Sequence, residues 1–221
     1  MFKKWIEDIR TKTQDMDKAQ KREYIITYYW YHMLIICILL FITGLVIYHL
    51  LWGSRKIVFS LAIINQEVNY DRDKKIMENF SKAYGIKSKN ISVDSNYLLS
   101  YGNITLDENS RVSDSLFEKF FFGWNEGAID AVIMPESFFK YCTSKDGKFI
   151  GTVVLCTGMK PKEMEEYFYK YNGEYMGIYI NKTNIADNFI HNDKDPLILV
   201  FLDNSSHITE CMEFAEFVFR D

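Results

Sequence analysis

Charge is absent from one long stretch of this 221-residue chain: no Asp, Glu, Lys or Arg occurs from Tyr24 through Ser54, a run of 31 residues. Cysteine and histidine are scarce, four of each. So few cysteines exclude a disulfide scaffold, and no paired spacing among them suggests zinc. With 11 glycines and 3 prolines there is no collagen-like repeat, and 48% apolar residues exclude disorder throughout. A basic surplus is also missing. The net charge of -4 argues against general nucleic-acid binding, which needs a positive face. No H-E-x-x-H, G-x-S-x-G, Walker or dinucleotide motif occurs, so nothing supports catalysis and no cofactor is expected. The turn His191-Asn192-Asp193-Lys194-Asp195 has metal-capable side chains but lacks the glycine and bidentate glutamate of a calcium loop. It reads as a solvated turn, and no metal is expected.

The uncharged run is present for a reason. Its centre, Met33 to Ile47, is almost wholly apolar, and aromatics flank it: Tyr28, Tyr29, Trp30 and Tyr31 before, Tyr48 and Trp52 after. About 20 helical residues cross the ~30 Å hydrocarbon core of a bilayer, and amphipathic rings favour its two interfaces. A buried core helix and a cleaved signal peptide are the alternatives. A signal peptide has a short basic leader, a shorter apolar stretch and a small-x-small cleavage site; here 23 residues, five of them acidic, precede the run, and its exit His49-Leu50-Leu51-Trp52-Gly53-Ser54 has no A-x-A pattern. The segment 24–54 therefore reads as an uncleaved transmembrane signal anchor in a lipid bilayer.

Flanking cations set the expected orientation. Residues 5–24 carry Arg10, Lys12, Lys18, Lys21 and Arg22, against Arg55, Lys56 and Arg72 in residues 53–72. This bias places the N-terminus in the cytoplasm and the C-terminal domain outside the cell. In the tail, residues 1–23, Phe2, Trp5, Ile6 and Ile9 recur at helical spacing. A surface-docked amphipathic helix and a frayed, solvated tail both fit.

Residues 56–221 are enough for one domain. Ile57 to Ile64 reads as a buried strand, Asp71 to Tyr84 as a helix stopped by Gly85, and Ile91 to Asp94 as a strand parallel to the first. A helix at Ser113 to Asn125, a strand at Ala128 to Met134 and a helix from Glu136 to Tyr141 follow. Later come expected strands at Thr152–Cys156, Tyr175–Asn181 and Leu197–Leu202, a charged helix at Lys162–Tyr171, and a closing helix from Ser206 to Phe219. That alternation predicts a three-layer α/β domain with a mixed sheet. Cys37 falls in the anchor. For the other cysteines one disulfide is open, between Cys142 and Cys156, with free buried thiols as the alternative.

The membrane-entry motif Lys21-Arg22-Glu23-Tyr24-Ile25-Ile26-Thr27-Tyr28-Tyr29-Trp30-Tyr31-His32 resembles the start of small single-pass membrane proteins of Gram-positive Firmicutes. The outer domain resembles the type 2 periplasmic solute-binding fold in three short pieces: Gly127 to Ile133, Gly177 to Ile180, and Leu197 to Leu202 with Asn204-Ser205-Ser206 and the terminal helix. The resemblance implies a module descended from solute-binding proteins, an accessory to a membrane transporter or a sensor. Only about 40 residues separate Met134 from Tyr175, too few for a complete second lobe, so either one lobe stands alone or the second is vestigial.

In open α/β sheets ligands favour the crevice beyond the carboxyl ends of strands. That rule selects Asp94, Ser95, Asn96 and Tyr97 after the second strand, and Met134, Glu136 and Ser137 after the third. Asn204, Ser205 and Ser206 precede a helix whose free N–H groups suit an anion. Caps, turns and loop polarity explain the same residues without a ligand. Phe122, third in Phe120-Phe121-Phe122, cannot share the buried helix face and is the expected contact for a protein partner. The two readings are thus an anchored extracytoplasmic binding module and a structural or assembly subunit.

Overall fold

The computed structural model describes residue 7 and residues 10–49, 56–101, 110–156 and 165–220, with only the backbone given for residues 25, 29, 110–113 and 153. Phe2, Trp5, Ile6 and Ile9 of the tail, the Tyr29 ring, Trp52, and Lys162 of the expected charged helix lie outside what is described. The chain divides into two compact units, Met1–Arg55 and Lys56–Asp221.

The first unit is dominated by one helix, α1, Lys18–Tyr48. Asp17 caps it: its carboxylate accepts from Ala19 N and Gln20 N at 2.8 and 2.9 Å, and Gln20 Oε1 accepts from Asp17 N at 3.1 Å. This reciprocal box satisfies donors that the first turn leaves unpaired. Residues 18–23, assigned above to the tail, therefore form the opening turns of the helix that carries the apolar run. Within it Trp30–Tyr48 is long and apolar enough to cross a membrane, 19 residues or about 28 Å, and none of it is buried by protein. Tyr28, Trp30, Tyr31 and Tyr48 are all exposed.

The second unit is built on a seven-stranded mixed sheet. Its strands are β1 (Phe59–Ile64), β2 (Ile91–Tyr97), β3 (Ala131–Pro135), β4 (Phe149–Ile150), β5 (Phe168–Tyr171), β6 (Glu174–Tyr179) and β7 (Leu197–Leu202). The order is β2-β1-β3-β7-β6-β5, with β1 parallel to both β2 and β3, and β7 antiparallel to β3 and β6. β3 fills one edge of β7 over its whole length. The other edge is shared: β6 pairs with Ile198 and Leu199, β4 with Phe201 and Leu202.

The helices are α2 (Tyr70–Tyr84), α3 (Ser110–Asn125), α4 (Glu136–Thr143), the single turn α5 (Thr152–Leu155) and α6 (Ile208–Phe217). Because β2 lies to one side of β1 and β3 to the other, right-handed crossovers send α2 and α3 to opposite faces. Strand alternation then sorts the core. Odd-numbered Phe59, Leu61 and Ile63 of β1 pack with Ile76 and Phe80 of α2 and Phe214 of α6. Even-numbered Ala62 and Ile64 pack with Phe120 and Trp124 of α3 and Phe138 of α4. Both faces are aromatic. The Phe80 and Phe214 rings meet edge to face at 5.1 Å, Phe120 and Trp124 at 5.8 Å, each contact contributing on the order of 1 kcal/mol beyond its buried area.

Several elements differ from expectation. β2 runs on to Tyr97, and β3 begins only at Ala131, since Ala128 N still donates to Gly123 O at the end of α3. Thr152–Leu155 is a helical turn, not a strand, and puts Leu155 and Cys156 into the core beneath α6. The expected charged helix is replaced, from Glu165 on, by a short 3-10 turn and the strand β5, whose Phe168 and Tyr169 face opposite cores. The closing helix begins at Ile208, which is exposed, and it buries Cys211, Phe214 and Phe217. Cys142 and Cys156 belong to opposite faces of the sheet, so no disulfide joins them, and all four thiols are free. Between residues 135 and 176 the described chain returns to the same sheet as β4 and β5, so the described residues form one lobe.

Candidate functional site

The strand order reverses between β1 and β3, and the crevice beyond their carboxyl ends is the place an α/β sheet offers a ligand. Asn65 follows β1 in the left-handed conformation, φ 55°, which Asn tolerates better than most residues. Its carboxamide accepts from Leu99 N at 2.7 Å and donates to Leu99 O at 3.0 Å, drawing the chain after β2 across the crevice. That brings in Tyr101, whose hydroxyl lies 2.7 Å from Ser137 Oγ. Ser137 in turn donates from its backbone N–H and its hydroxyl to the two carboxylate oxygens of Asp195, at 2.8 and 2.6 Å. Asp195 thereby caps the first turn of α4, an N-cap supplied from elsewhere in the chain. Next to it Glu136 Oε1 accepts from Tyr169 Oη at 3.1 Å and pairs with Lys140 Nζ at 2.5 Å.

Beside this network, across the end of β6, opens a cavity of about 300 Å³ lined by Tyr179, Asn181, Lys182, His191, Asn192 and Asp193. His191 is oriented by Ala186 O, 2.9 Å from its Nε2, and Asn192 Oδ1 accepts from Lys194 N at 3.0 Å in a closed turn. Burial raises the hydroxyls of Tyr101, Tyr169 and Tyr179, and Glu136 raises the last two further. They stay protonated throughout the physiological range and act as neutral hydrogen-bond groups on an aromatic wall. The chemistry on offer is recognition of a polar ligand by phenols, carboxamides and both signs of charge.

The other end of the sheet is organised around Asp130, 1% exposed. Its carboxylate accepts from Ser60 N at 2.8 Å and Ser205 Oγ at 2.6 Å, with His207 Nδ1 at 3.0 Å. A carboxylate only accepts, so His207 presents Nδ1–H to it. Gly127, at φ 65°, lets Asn204 approach: a Cβ there would stand 3.1 Å from Asn204 O. The Asn204 side chain donates to Trp124 O.

These contacts decide the fate of the residues selected from sequence. Glu136 and Ser137 are in the crevice. Met134 is wholly buried in the core and touches no crevice. Asp94, Ser95, Asn96 and Tyr97 lie within β2 rather than beyond it. There Asp94 pairs with Lys119 at 2.9 Å, Ser95 Oγ donates to the buried Asp73 at 2.5 Å, and Tyr97 packs on Phe120. Only Asn96 of the four is exposed. Asn204, Ser205 and Ser206 fall at the opposite end, because β7 runs antiparallel to β3. Ser206 does not open the helix, which starts at Ile208 after His207. The anion expected there is the protein's own Asp130. Phe122 is 69% exposed, as its place in the triplet implies.

Comparison of the chain with protein-family models, curated proteins and solved structures finds no match. The site must therefore be read from its own chemistry. Sequence reasoning missed Asn65, Tyr101, Tyr169, Tyr179 and Asp195. Asn65 directly follows β1, so the strand-end rule could have found it; the others reach the crevice from distant segments, with Asp195-Pro196 immediately before β7 as their one local signal. Among the described residues no three His, Cys, Asp or Glu side chains gather as a metal site.

Proposed function

We propose that the protein is a membrane-anchored extracytoplasmic binding module that recognises a small polar ligand at the carboxyl end of its parallel strands. The observation that carries this is the cavity at the β1/β3 end, where carboxamides and charged side chains join Tyr179 and apolar Pro196 and Leu197, bordered by a network of protonated phenols. The length of α1, the bias of Lys and Arg toward its N-terminal flank and the resemblance to solute-binding folds support an anchored sensor or transporter accessory. A binding role without catalysis fits the other end as well: Ser205 donates to Asp130 instead of to His207, so serine and histidine are not arranged as nucleophile and base. Thermal unfolding of the full chain in nanodiscs, with amino acids, sugars and short peptides added in turn, tests the reading. A rise in Tm with one class is expected, and no rise with any class contradicts it.

The exposed Phe122 favours a second reading, an assembly subunit that docks a protein partner. Site-specific crosslinking from position 122 in native membranes is then expected to capture one defined partner, and absence of any crosslink removes this reading.

A further inference from the structure

A second cavity, of about 340 Å³, lies on the other side of the domain's first core, between α2, the turn at residues 183–188 and the end of α6. Its floor is apolar: Ile76, Ile185 and Phe217 are nearly buried there and continue into the core. The carboxamides of Asn79, Asn184 and Asn188 stand on its rim with Lys75 and Arg220. Among the described residues that line it, none is acidic. That runs against the domain as a whole, since residues 56–221 carry 18 basic and 25 acidic side chains, a net -7.

The rim is held in place. Asn184 Nδ2 donates to Phe217 O at 2.9 Å and also to Arg220 O, and Asn188 Nδ2 donates to Ile185 O at 3.0 Å. The Arg220 guanidinium lies 5.5 Å over the Tyr84 ring, which restrains it. Lys75 Nζ makes one long bond, 3.4 Å, to Asn188 Oδ1 and has further protons to donate. A guanidinium fork and an ammonium above an apolar floor match a carboxylate attached to a small apolar body. The volume suits a ligand of that size.

We propose that this cavity binds an organic monocarboxylate, its ring or short chain on Ile76, Ile185 and Phe217 and its carboxylate between Lys75 and Arg220. The site is independent of the crevice at the β1/β3 end. Isothermal titration of the full chain in phosphatidylcholine nanodiscs with benzoate tests it, with empty nanodiscs as the blank. Saturable binding with one site per chain and a Kd of about 1 mM or tighter is expected. Benzamide, the neutral isostere, and inorganic phosphate, which has no apolar body, are expected to bind roughly tenfold more weakly or worse. Lys75→Gln with Arg220→Gln is expected to weaken benzoate by a similar factor, and both residues are exposed enough for the variant to fold. Absence of saturable benzoate binding below about 10 mM overturns the proposal. So does benzamide or phosphate binding as well as benzoate, or benzoate binding left unchanged by the double variant.

Discussion

Where β3 begins, the carboxylate of Asp130 is buried and bonded to Ser60, Ser205 and His207. Where β3 stops, Asp195 makes a similar set of bonds to Ser137 but stays half-buried, and a cavity opens beside it. The two ends have similar inventories of Asp, Ser, Asn and His. They differ in what surrounds those groups. Gly127, Asn204 and the start of α6 close over Asp130, whereas the turn carrying His191 to Asp193 stands back from Tyr179. Polar residues at a sheet end are therefore structural or available for recognition according to whether chain packs over them, and residue type alone does not separate the cases.

The largest expected effect is alkaline and includes the closed end, where Cys211 lies 3.6 Å from Ser205. Burial pushes the Cys211 and Cys142 thiols up to about 12 and Cys156 to about 11, from an ordinary value of 9.0. The unfolded chain then releases these protons at lower pH than the folded one. Stability is complete below pH 9 and falls as pH rises towards 11–12, by about 1.4 kcal/mol per pH unit for each thiol. Urea midpoints at pH 8 and pH 10 measure the loss, and Cys211→Ala should lessen the slope by up to about 1.4 kcal/mol per pH unit. An unchanged midpoint at pH 10 contradicts the burial of these thiols.

Asp130→Ala comes next. It strands the Ser60 N–H and the Ser205 hydroxyl in a dry site, and a loss of about 3 kcal/mol is expected from chemical denaturation. Asp195→Ala should cost only about 1 kcal/mol, because water can replace it at Ser137. Equal costs would erase the distinction between the ends. The smallest effect is at Phe122. Its replacement by Ala should change stability by less than about 0.5 kcal/mol, and a larger loss would mean that the ring is packed after all.

Legibility in the sequence followed locality. Leu197–Leu202 is apolar at every position, so both its ends are legible, as for a strand buried on both faces. The stop of α2 at Gly85 was readable because φ 69° there suits glycine. Thr152–Leu155 and β5 were misread because short apolar or charged runs fit either element, and their pairing partners are far away in sequence. For Thr152–Leu155, packing beneath α6 decides; for β5, pairing with β6 decides. The site suffered for the same reason. Glu136 and Ser137 follow directly from the end of a strand, whereas excluding Asn204 to Ser206 from the crevice requires knowing that β7 runs antiparallel. Tyr101 and Asp195 reach Ser137 across 36 and 58 residues, a juxtaposition that no local pattern encodes.

The central claim is that recognition belongs to the end of the sheet where β1 and β3 stop. Amide chemical-shift mapping of the full chain in nanodiscs tests it most directly, using amino acids, sugars and short peptides in turn. The account predicts that the class which raises Tm shifts the amides of Asn65, Tyr101, Ser137, Tyr179 and His191 and leaves Asp130, Ser205 and His207 in place. Shifts centred on Asp130, or a ligand that moves neither end, would contradict it.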